Sequence, residues 1–212
     1  MVNHKYKLVY IHIPKSAGSS IEMCILPDGK KKTFDADHDI MHGWDDQINR
    51  YLHHLTLEEV VHHFPHLTDY YFFTFVRNPW ARCVSSFFYF RGDVDSSFID
   101  DKNITIDSLI SEFKHFLLNF SFEDDMSHSL SQHEFIINKK SSKQMNYIGK
   151  FESLQSDFNT VCTESGFPQM KIPYSNGTTH KHYTEYYDEE AKQIVADKYA
   201  KDIEHFGYKF EE

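Results

Sequence analysis

The chain contains 212 residues, of which 40% are hydrophobic and 16% aromatic, so it has enough apolar side chains for a substantial core. This composition excludes global disorder, and the length suits a single domain over residues 1–212. The formal net charge of −10 argues against a nucleic-acid-binding protein, since binding to phosphate backbones requires a basic surface.

Compartment and topology follow from the apolar pattern and the cysteines. No apolar run in the sequence approaches the roughly 20 residues that a membrane span needs. Residues 1–7 lack the pattern of a signal peptide. The three cysteines, Cys24, Cys83 and Cys162, cannot all pair and show no CxxC spacing, which is typical of a reducing compartment. We therefore expect a cytoplasmic protein without a membrane span.

Strand-like and helix-like segments alternate along the chain, which predicts an α/β fold with a mainly parallel sheet. Two helix starts carry the capping-box pattern, Ser19 with Glu22 and Thr56 with Glu59. The pattern predicts strands over 6–13, 70–76 and 146–151, and an irregular segment over 30–49. It predicts helices from Ser19, over 56–64, from Asn78, over 105–120, from Ser153 to Gly166, and over 188–206, where Gly207 ends the last helix.

The first chemical motif is the turn IPKSAGSS between the first strand and the first helix. Backbone N–H groups at a helix N-terminus bind anions, and small residues allow close approach to the backbone. Lys15 adds a positive charge, and Gly18 permits a positive φ. Ala17 is a small residue of the turn, and Ser16, Ser19 and Ser20 add hydroxyl donors. The alternative is an ordinary strand–turn–helix connection with a surface lysine. The order of Lys15 and Gly18 does not fit the nucleoside-triphosphate loop.

The second motif is FVRNP, where the strand over 70–76 gives way to a helix. Arg77 offers a planar donor fork that suits a phosphate. Ser85 lies eight residues later, off the apolar stripe of that helix, and can lean back towards its start. The alternative is an arginine that caps a carbonyl and a solvated serine. Two separate anion sites suit a nucleotide with phosphates at two distant points, such as 3′-phosphoadenosine 5′-phosphosulfate (PAPS).

The combination of IPKSAGSSIE with FFTFVRNPWARCVSSFFYF resembles the PAPS-dependent carbohydrate sulfotransferases, in the branch of the heparan 2-O-sulfotransferases and their small bacterial relatives. The segments HLTLEE, YIGKFE and DIEHFGY extend the resemblance over most of the chain. The resemblance implies a three-layer, P-loop-like α/β fold and PAPS as co-substrate, without a metal. It also implies that residues 15–20 bind the 5′-phosphosulfate and that Arg77 and Ser85 bind the 3′-phosphate.

The implied reaction transfers a sulfuryl group to an acceptor hydroxyl, which requires a general base. Lys15 would neutralise the leaving phosphate. The family's catalytic histidine falls in the HLTLEE segment, which makes His54 the expected base. Its position just before the cap of a helix favours the neutral ring. A shift of one residue in the alignment would exchange it with His53.

The nucleotide and acceptor contacts complete the expected site. In the family a C-terminal loop closes over the nucleotide, which would bring Thr179 and Lys181 to the 3′-phosphate; the alternative, which the residues alone favour slightly, is an ordinary polar loop. The acidic segments 28–50 and 91–145 are the expected acceptor walls. Their charge favours a neutral carbohydrate or a small hydroxylated molecule over a sulfated polyanion.

Other functions remain open at this point. A non-catalytic nucleotide-binding or glycan-binding module and a kinase-like phosphotransferase are the alternatives from other classes. The i, i+4 histidine pairs His62 with His66 and His38 with His42 have the spacing of metal ligands, but the sequence offers no evident third ligand, so we expect no metal site.

Overall fold

The computed structural model describes residues 1–26, 34–92, 105–120, 127–173 and 180–211. The chain divides into two compact units. The first unit comprises Met1–Val76 and Gln132–Ser175, and the second comprises Arg77–Ser131 and Asn176–Glu212. The single domain expected over 1–212 stays a prediction.

The central feature of the first unit is a four-stranded sheet. The strands of the chain are β1 (Val2–Asn3), β2 (Leu8–Tyr10), β3 (Trp44–Asp45), β4 (Arg50–Tyr51), β5 (Tyr71–Val76) and β6 (Tyr147–Lys150). The sheet has the order β1-β2-β5-β6, and β3 pairs with β4 in a small antiparallel hairpin. β1 is antiparallel to β2, whereas β2, β5 and β6 are mutually parallel. The chain is therefore a mixed α/β protein with a mostly parallel sheet, as predicted.

Helices are present in both units. They are α1 (Gly18–Ile25), α2 (Leu57–His63), α3 (Pro79–Arg91), α4 (Ile106–Asn119), α5 (Gln132–Ile136), α6 (Leu154–Ser165), α7 (Glu189–Lys198) and α8 (Ala200–Phe206). The helices α1, α2, α5 and α6 belong to the first unit, and the others to the second. None of these helices, within the ranges given above, is long and apolar enough to cross a membrane.

The core of the first unit lies between one face of the sheet and two helices. Alternate residues of β2 and β5 point to this face, which is the period-2 pattern of a strand. The buried cluster contains Leu8, Tyr10, Phe73 and Phe75 from the strands, Ile21, Cys24 and Ile25 from α1, and Phe158, Val161 and Cys162 from α6. Each fully buried aliphatic or Phe side chain contributes about 1.5–3 kcal/mol. This packing fixes α1 against the sheet and thereby positions the turn before α1.

The second unit is organised around α3. Asn78 caps this helix, as predicted, because its side chain accepts hydrogen bonds from the backbone N–H groups of Trp80 and Ala81. The predicted apolar stripe of α3 is confirmed, since Trp80, Cys83, Val84, Phe87 and Phe88 are all buried in one cluster with residues of α4 and α7. The helices predicted over 56–64, over 105–120 and from Ser153 to Gly166 are also confirmed within two residues at each end.

One predicted capping box is wrong. The helix α1 begins at Gly18 with Ala17 as its N-cap, so Ser19 is the second residue of the helix and not its cap. The backbone turns into the helix early because Ala17 adopts the left-handed conformation, with φ of 68°. No side chain caps α1, and Glu22 is buried, with 3% of its surface exposed.

Two other boundaries differ from the prediction. The strand expected over 6–13 is reduced to β2, because Lys7 adopts a φ of 51° in the turn that follows β1. The helix expected over 188–206 is interrupted at Tyr199 and continues as α8 to Gly207. The Tyr199 ring is 2% exposed and its hydroxyl donates to the carbonyl of Ser129, 3.0 Å away. This buried anchor accompanies the break between α7 and α8.

Candidate functional site

The turn between β2 and α1 has an unusual backbone. Lys15 and Ala17 both adopt left-handed conformations, with φ of 66° and 68°. For residues other than glycine this conformation costs about 1–2 kcal/mol each. Backbone strain of this kind is often found at ligand-binding turns. Where right-handed and left-handed residues alternate, successive N–H groups point to one side and can bind an anion. The turn predicted to bind an anion therefore contains two strained residues, Lys15 and Ala17.

The glycine of this turn has a steric role that differs from the one predicted. Gly18 does not have a positive φ. A Cβ atom at this position would lie 1.6 Å from Nε2 of His12, so only glycine leaves room for the His12 imidazole. Gly18 thus allows the start of α1 to pack directly on His12.

The serines of the turn differ in their surroundings. Ser16 is fully buried, and its hydroxyl lies 3.4 Å from Oε1 of Gln132 in α5. Ser20 is also buried, whereas Ser19 and Lys15 are half-buried. In this conformation the Ser16 side chain stabilises the turn from inside. The predicted ligand-binding roles of residues 15–20 stay predictions.

His54 lies beside this turn and is held in one orientation. Its ring is 8% exposed, and Nδ1 lies 3.1 Å from the backbone carbonyl of His12. A carbonyl only accepts hydrogen bonds, so Nδ1 must carry a proton. In the neutral ring the lone pair that a base requires is then on Nε2. Burial lowers the pKa of His54 from 6.5 to about 4, with a smaller lowering from Arg50, so the ring is neutral at pH 7.

The backbone around His54 is fixed by the start of α2. The predicted capping box is present, since Glu59 accepts hydrogen bonds from the backbone N–H and hydroxyl of Thr56. The second oxygen of Glu59 accepts from Arg50, 2.8 Å away, and Arg50 also donates to the carbonyl of His54 at 3.5 Å. This network connects β4, His54 and α2, and it restricts the motion of the imidazole.

Three residues that were not predicted to belong to this site surround the two predicted histidines. The His12 ring lies 4.6 Å from the His54 ring, and the His53 ring lies 4.4 Å from the His54 ring. The His42 ring stacks on His53 at 4.4 Å, and Nε2 of His42 lies 3.2 Å from Oε1 of Glu22. A signal for His12 was its place directly before the IPKS turn. Glu22 was concealed by the erroneous capping-box interpretation.

Arg77 and Ser85 belong to the second unit. Arg77 lies at the end of β5, one residue before the cap of α3, and is half-buried. Ser85 lies on the second turn of α3 and is 6% exposed, so it is not the solvated serine of the alternative interpretation. Arg82 on the same helix has a structural role, because it is buried and donates to the carbonyls of Leu130 and His128.

Of the two loop residues expected near the 3′-phosphate, Thr179 lies outside the described residues. Lys181 is exposed and forms an ion pair with Glu185 at 3.1 Å. The neighbouring His180 stacks on Phe88 of α3, with ring centroids 5.1 Å apart. Phe88 follows Ser85 by one helical turn, so this segment is held next to the part of α3 that carries Ser85.

The histidine pairs with metal-ligand spacing do not form a metal site in the described parts of the chain. His38 binds Asp45 at 2.5 Å, whereas His42 lies against Glu22, so their partners diverge. His62 and His66 are both exposed. Within the described ranges, no group of three or more His, Cys, Asp or Glu side chains is placed to hold a metal ion.

The first unit therefore combines a mostly parallel sheet, a strained turn before α1 and a neutral histidine held in one orientation near that turn. Comparison with known proteins then identifies the family. Residues 1–209 match the sequence profile of the sulfotransferase family, and the chain belongs to this family. No curated protein and no solved structure matched the chain. The heparan 2-O-sulfotransferase branch stays a prediction.

Proposed function

We propose that the protein transfers a sulfuryl group from PAPS to a hydroxyl of a carbohydrate or a small hydroxylated acceptor. Family membership supports sulfuryl transfer in general. The observation that carries the proposal is the bond from Nδ1 of His54 to the His12 carbonyl, beside the turn that starts α1. This bond leaves Nε2 as the proton acceptor, which is what attack by a hydroxyl requires.

The turn fits the 5′-phosphosulfate by charge and by backbone geometry. Lys15 supplies a positive charge, and the start of α1 supplies the positive end of a helix dipole. Ala17, the N-cap of α1, has no side chain that could occupy the first N–H groups, unlike Thr56 and Asn78 at the starts of α2 and α3. These groups suit an anion that carries its own oxygen acceptors.

The catalytic roles follow from this arrangement. Nε2 of His54 takes the proton of the acceptor hydroxyl. The hydroxyl oxygen of the acceptor forms a bond to sulfur, and the bond from sulfur to the phosphate oxygen breaks. Lys15 stabilises the negative charge that develops on the leaving phosphate. As in phosphoryl transfer, the protein contributes mainly position and charge. Ser19, Ser20 and the amides of the turn share in binding the leaving group.

In the second unit, Arg77 and Ser85 are proposed to bind the 3′-phosphate. Arg77 is half-buried, where its guanidinium is less screened than on an open surface. The His180–Phe88 stack holds the backbone of Lys181 near the same helix, so Lys181 is a further proposed ligand once it exchanges Glu185 for a phosphate. Thr179 is retained as a proposal from the sequence.

The acceptor is proposed to be neutral. The acidic segment described over 34–49 carries several aspartates, but two of them stabilise its turns. Asp45 accepts from the N–H groups of Gln47 and Ile48, and Asp37 accepts from Asp39 and Ile40. The exposed Asp35, Asp39 and Asp46 place negative charge at the surface of the segment, which disfavours a polyanion such as a sulfated glycan. A reducing compartment, as the free cysteines suggest, stays part of this proposal.

The test is transfer of labelled sulfate from PAPS to a panel of neutral oligosaccharides and small hydroxylated compounds, with heparin-like chains alongside. We expect transfer to at least one neutral acceptor and none to the sulfated chains. Binding of nucleotide without transfer to any acceptor would favour the non-catalytic module. Phosphate transfer from ATP would favour the kinase-like alternative.

A further inference from the structure

A buried carboxylate lies close to the proposed base and has no role in the mechanism described so far. The side chain of Glu22, on α1, is 4% exposed, and its Oε1 lies 3.2 Å from Nε2 of His42, which is itself 13% exposed. A carboxylate at this depth is retained only where positive or hydrogen-bonding groups compensate its burial. Here the compensating groups include a histidine.

The contacts continue from this pair to the base. His42 stacks on His53, with ring centroids 4.4 Å apart and planes inclined by 19°. The His53 ring lies 4.4 Å from the His54 ring, and the His12 ring lies 4.6 Å from the His54 ring. We call these four rings, His12, His42, His53 and His54, the histidine cluster. Neighbouring imidazoles cannot all be protonated, because their charges repel one another.

We propose that Glu22 is a positioning residue for this cluster, whose carboxylate, 3.2 Å from His42, stabilises the positive charge that His54 gains when it accepts the proton of the acceptor. The inference rests on the proposed sulfotransferase function. In this step the acceptor O–H bond breaks, Nε2 of His54 gains the proton, and Glu22 exchanges no proton. Its role is electrostatic, because a fixed negative charge favours the charged form of a base nearby.

The balance of charges around His54 makes Glu22 important. Burial, Arg50 and the amino group of Met1 all lower the pKa of His54, whereas the bond to the His12 carbonyl and the charge of Glu22 raise it. Other titratable groups of the surroundings include His12, His42 and His53 within the cluster, and Glu59, which engages Arg50 at 2.8 Å. Among the described residues, the charge of Glu22 thus offsets part of the cost of charging His54.

The substitution Glu22→Gln retains the shape and removes the charge. In the free enzyme, we expect the NMR titration of the His54 imidazole to move to lower pH by roughly one unit. The acid limb of kcat/KM should move in the same direction, and its plateau should fall roughly 10-fold because the base is weaker. Glu22→Asp should restore part of both. Glu204→Gln, at an exposed position of α8, is the matched control and should leave both unchanged.

An unchanged His54 titration in folded Glu22→Gln would overturn the inference. If Glu22→Gln does not fold, His42→Gln is the second variant. It keeps the Glu22 carboxylate and removes the His42 imidazole, which competes with His54 for the negative charge. His54 should then titrate at or above its wild-type pH, and a decrease would overturn the inference. The NMR titration needs neither PAPS nor acceptor, so a lack of sulfate transfer by the wild-type protein contradicts the proposed function and leaves the test of Glu22 intact.

Discussion

The imidazole of His54 donates from Nδ1 to the backbone carbonyl of His12, over 3.1 Å. His12 in turn packs against Gly18, the first residue of α1. One short set of contacts therefore connects the proposed base with the turn proposed to hold the leaving group. Both are oriented by the same histidine, so a change in the turn should affect the base.

The first prediction concerns the base itself. His54→Gln should lower the rate of sulfate transfer by about 10²–10⁴-fold, which is the usual contribution of a general base. Binding of adenosine 3′,5′-bisphosphate should change less than about twofold, because the glutamine touches no phosphate in the proposed arrangement. Steady-state kinetics and calorimetric titration measure the two quantities.

His62→Gln is the control for this change, since His62 is exposed on α2. His53→Gln is the informative comparison. If the loss of rate followed His53 and spared His54, the base would be His53, the alternative that the sequence left open.

The second prediction concerns the contact between Gly18 and His12. Gly18→Ala would place a Cβ atom 1.6 Å from Nε2 of His12, so the imidazole must move. We expect a loss of stability of about 1–3 kcal/mol, as for other overpacked positions. Transfer should fall at least roughly 10-fold, because the carbonyl that orients His54 moves with His12.

Gly166→Ala is the matched control for Gly18→Ala. Among the described residues, no atom lies within 4 Å of its added Cβ, but its φ of 73° makes the change strained. It should cost about 1 kcal/mol of stability and leave transfer unchanged. Equal losses of transfer in both variants would show that general destabilisation, and not His12, explains the effect.

The third prediction separates the two phosphate sites. Lys15→Ala should weaken the binding of both adenosine 5′-phosphate and adenosine 3′,5′-bisphosphate, by roughly 10–100-fold for a lost charge-assisted bond. Arg77→Ala should weaken only the bisphosphate, since the monophosphate has no 3′-phosphate. Lys171→Ala, an exposed lysine of the first unit, should alter neither. Equal weakening of both ligands by Arg77→Ala would contradict its assignment to the 3′-phosphate.

The fourth prediction concerns stability and pH. His54 has a pKa of about 4 in the folded protein and 6.5 as the unperturbed value, so the unfolded chain binds more protons between these two values. Stability from this group is therefore complete above pH 6.5 and is lost as the pH falls towards 4, by at most about 3 kcal/mol. Chemical denaturation from pH 7.5 to 4 should show this loss, and His54→Gln should lack that part of it.

The sequence predicted the elements whose signals are local. The Thr56–Glu59 capping box, the Asn78–Pro79 helix start and the apolar stripe of α3 depend on residues within two or three turns, and all are confirmed. The predicted start of α1 was wrong because Ala17, a residue with no intrinsic preference for positive φ, adopts the left-handed conformation.

The sequence predicted the motifs of the candidate site but not the side chains that pack around His54. Lys15, Arg77 and His54 stand out because they lie at strand or helix ends. His12, His42 and Glu22 come from three separate segments and meet only in the folded first unit. A single sequence carries no signal for such long-range contacts.

The most direct test of the central claim is a calorimetric titration of the wild-type protein with adenosine 3′,5′-bisphosphate in the presence of a chelator, compared with ATP and Mg²⁺. The account predicts that the bisphosphate binds without metal and more tightly than ATP does with it. A clear preference for ATP with Mg²⁺, or no binding of the bisphosphate, would contradict the assignment of PAPS as the sulfuryl donor.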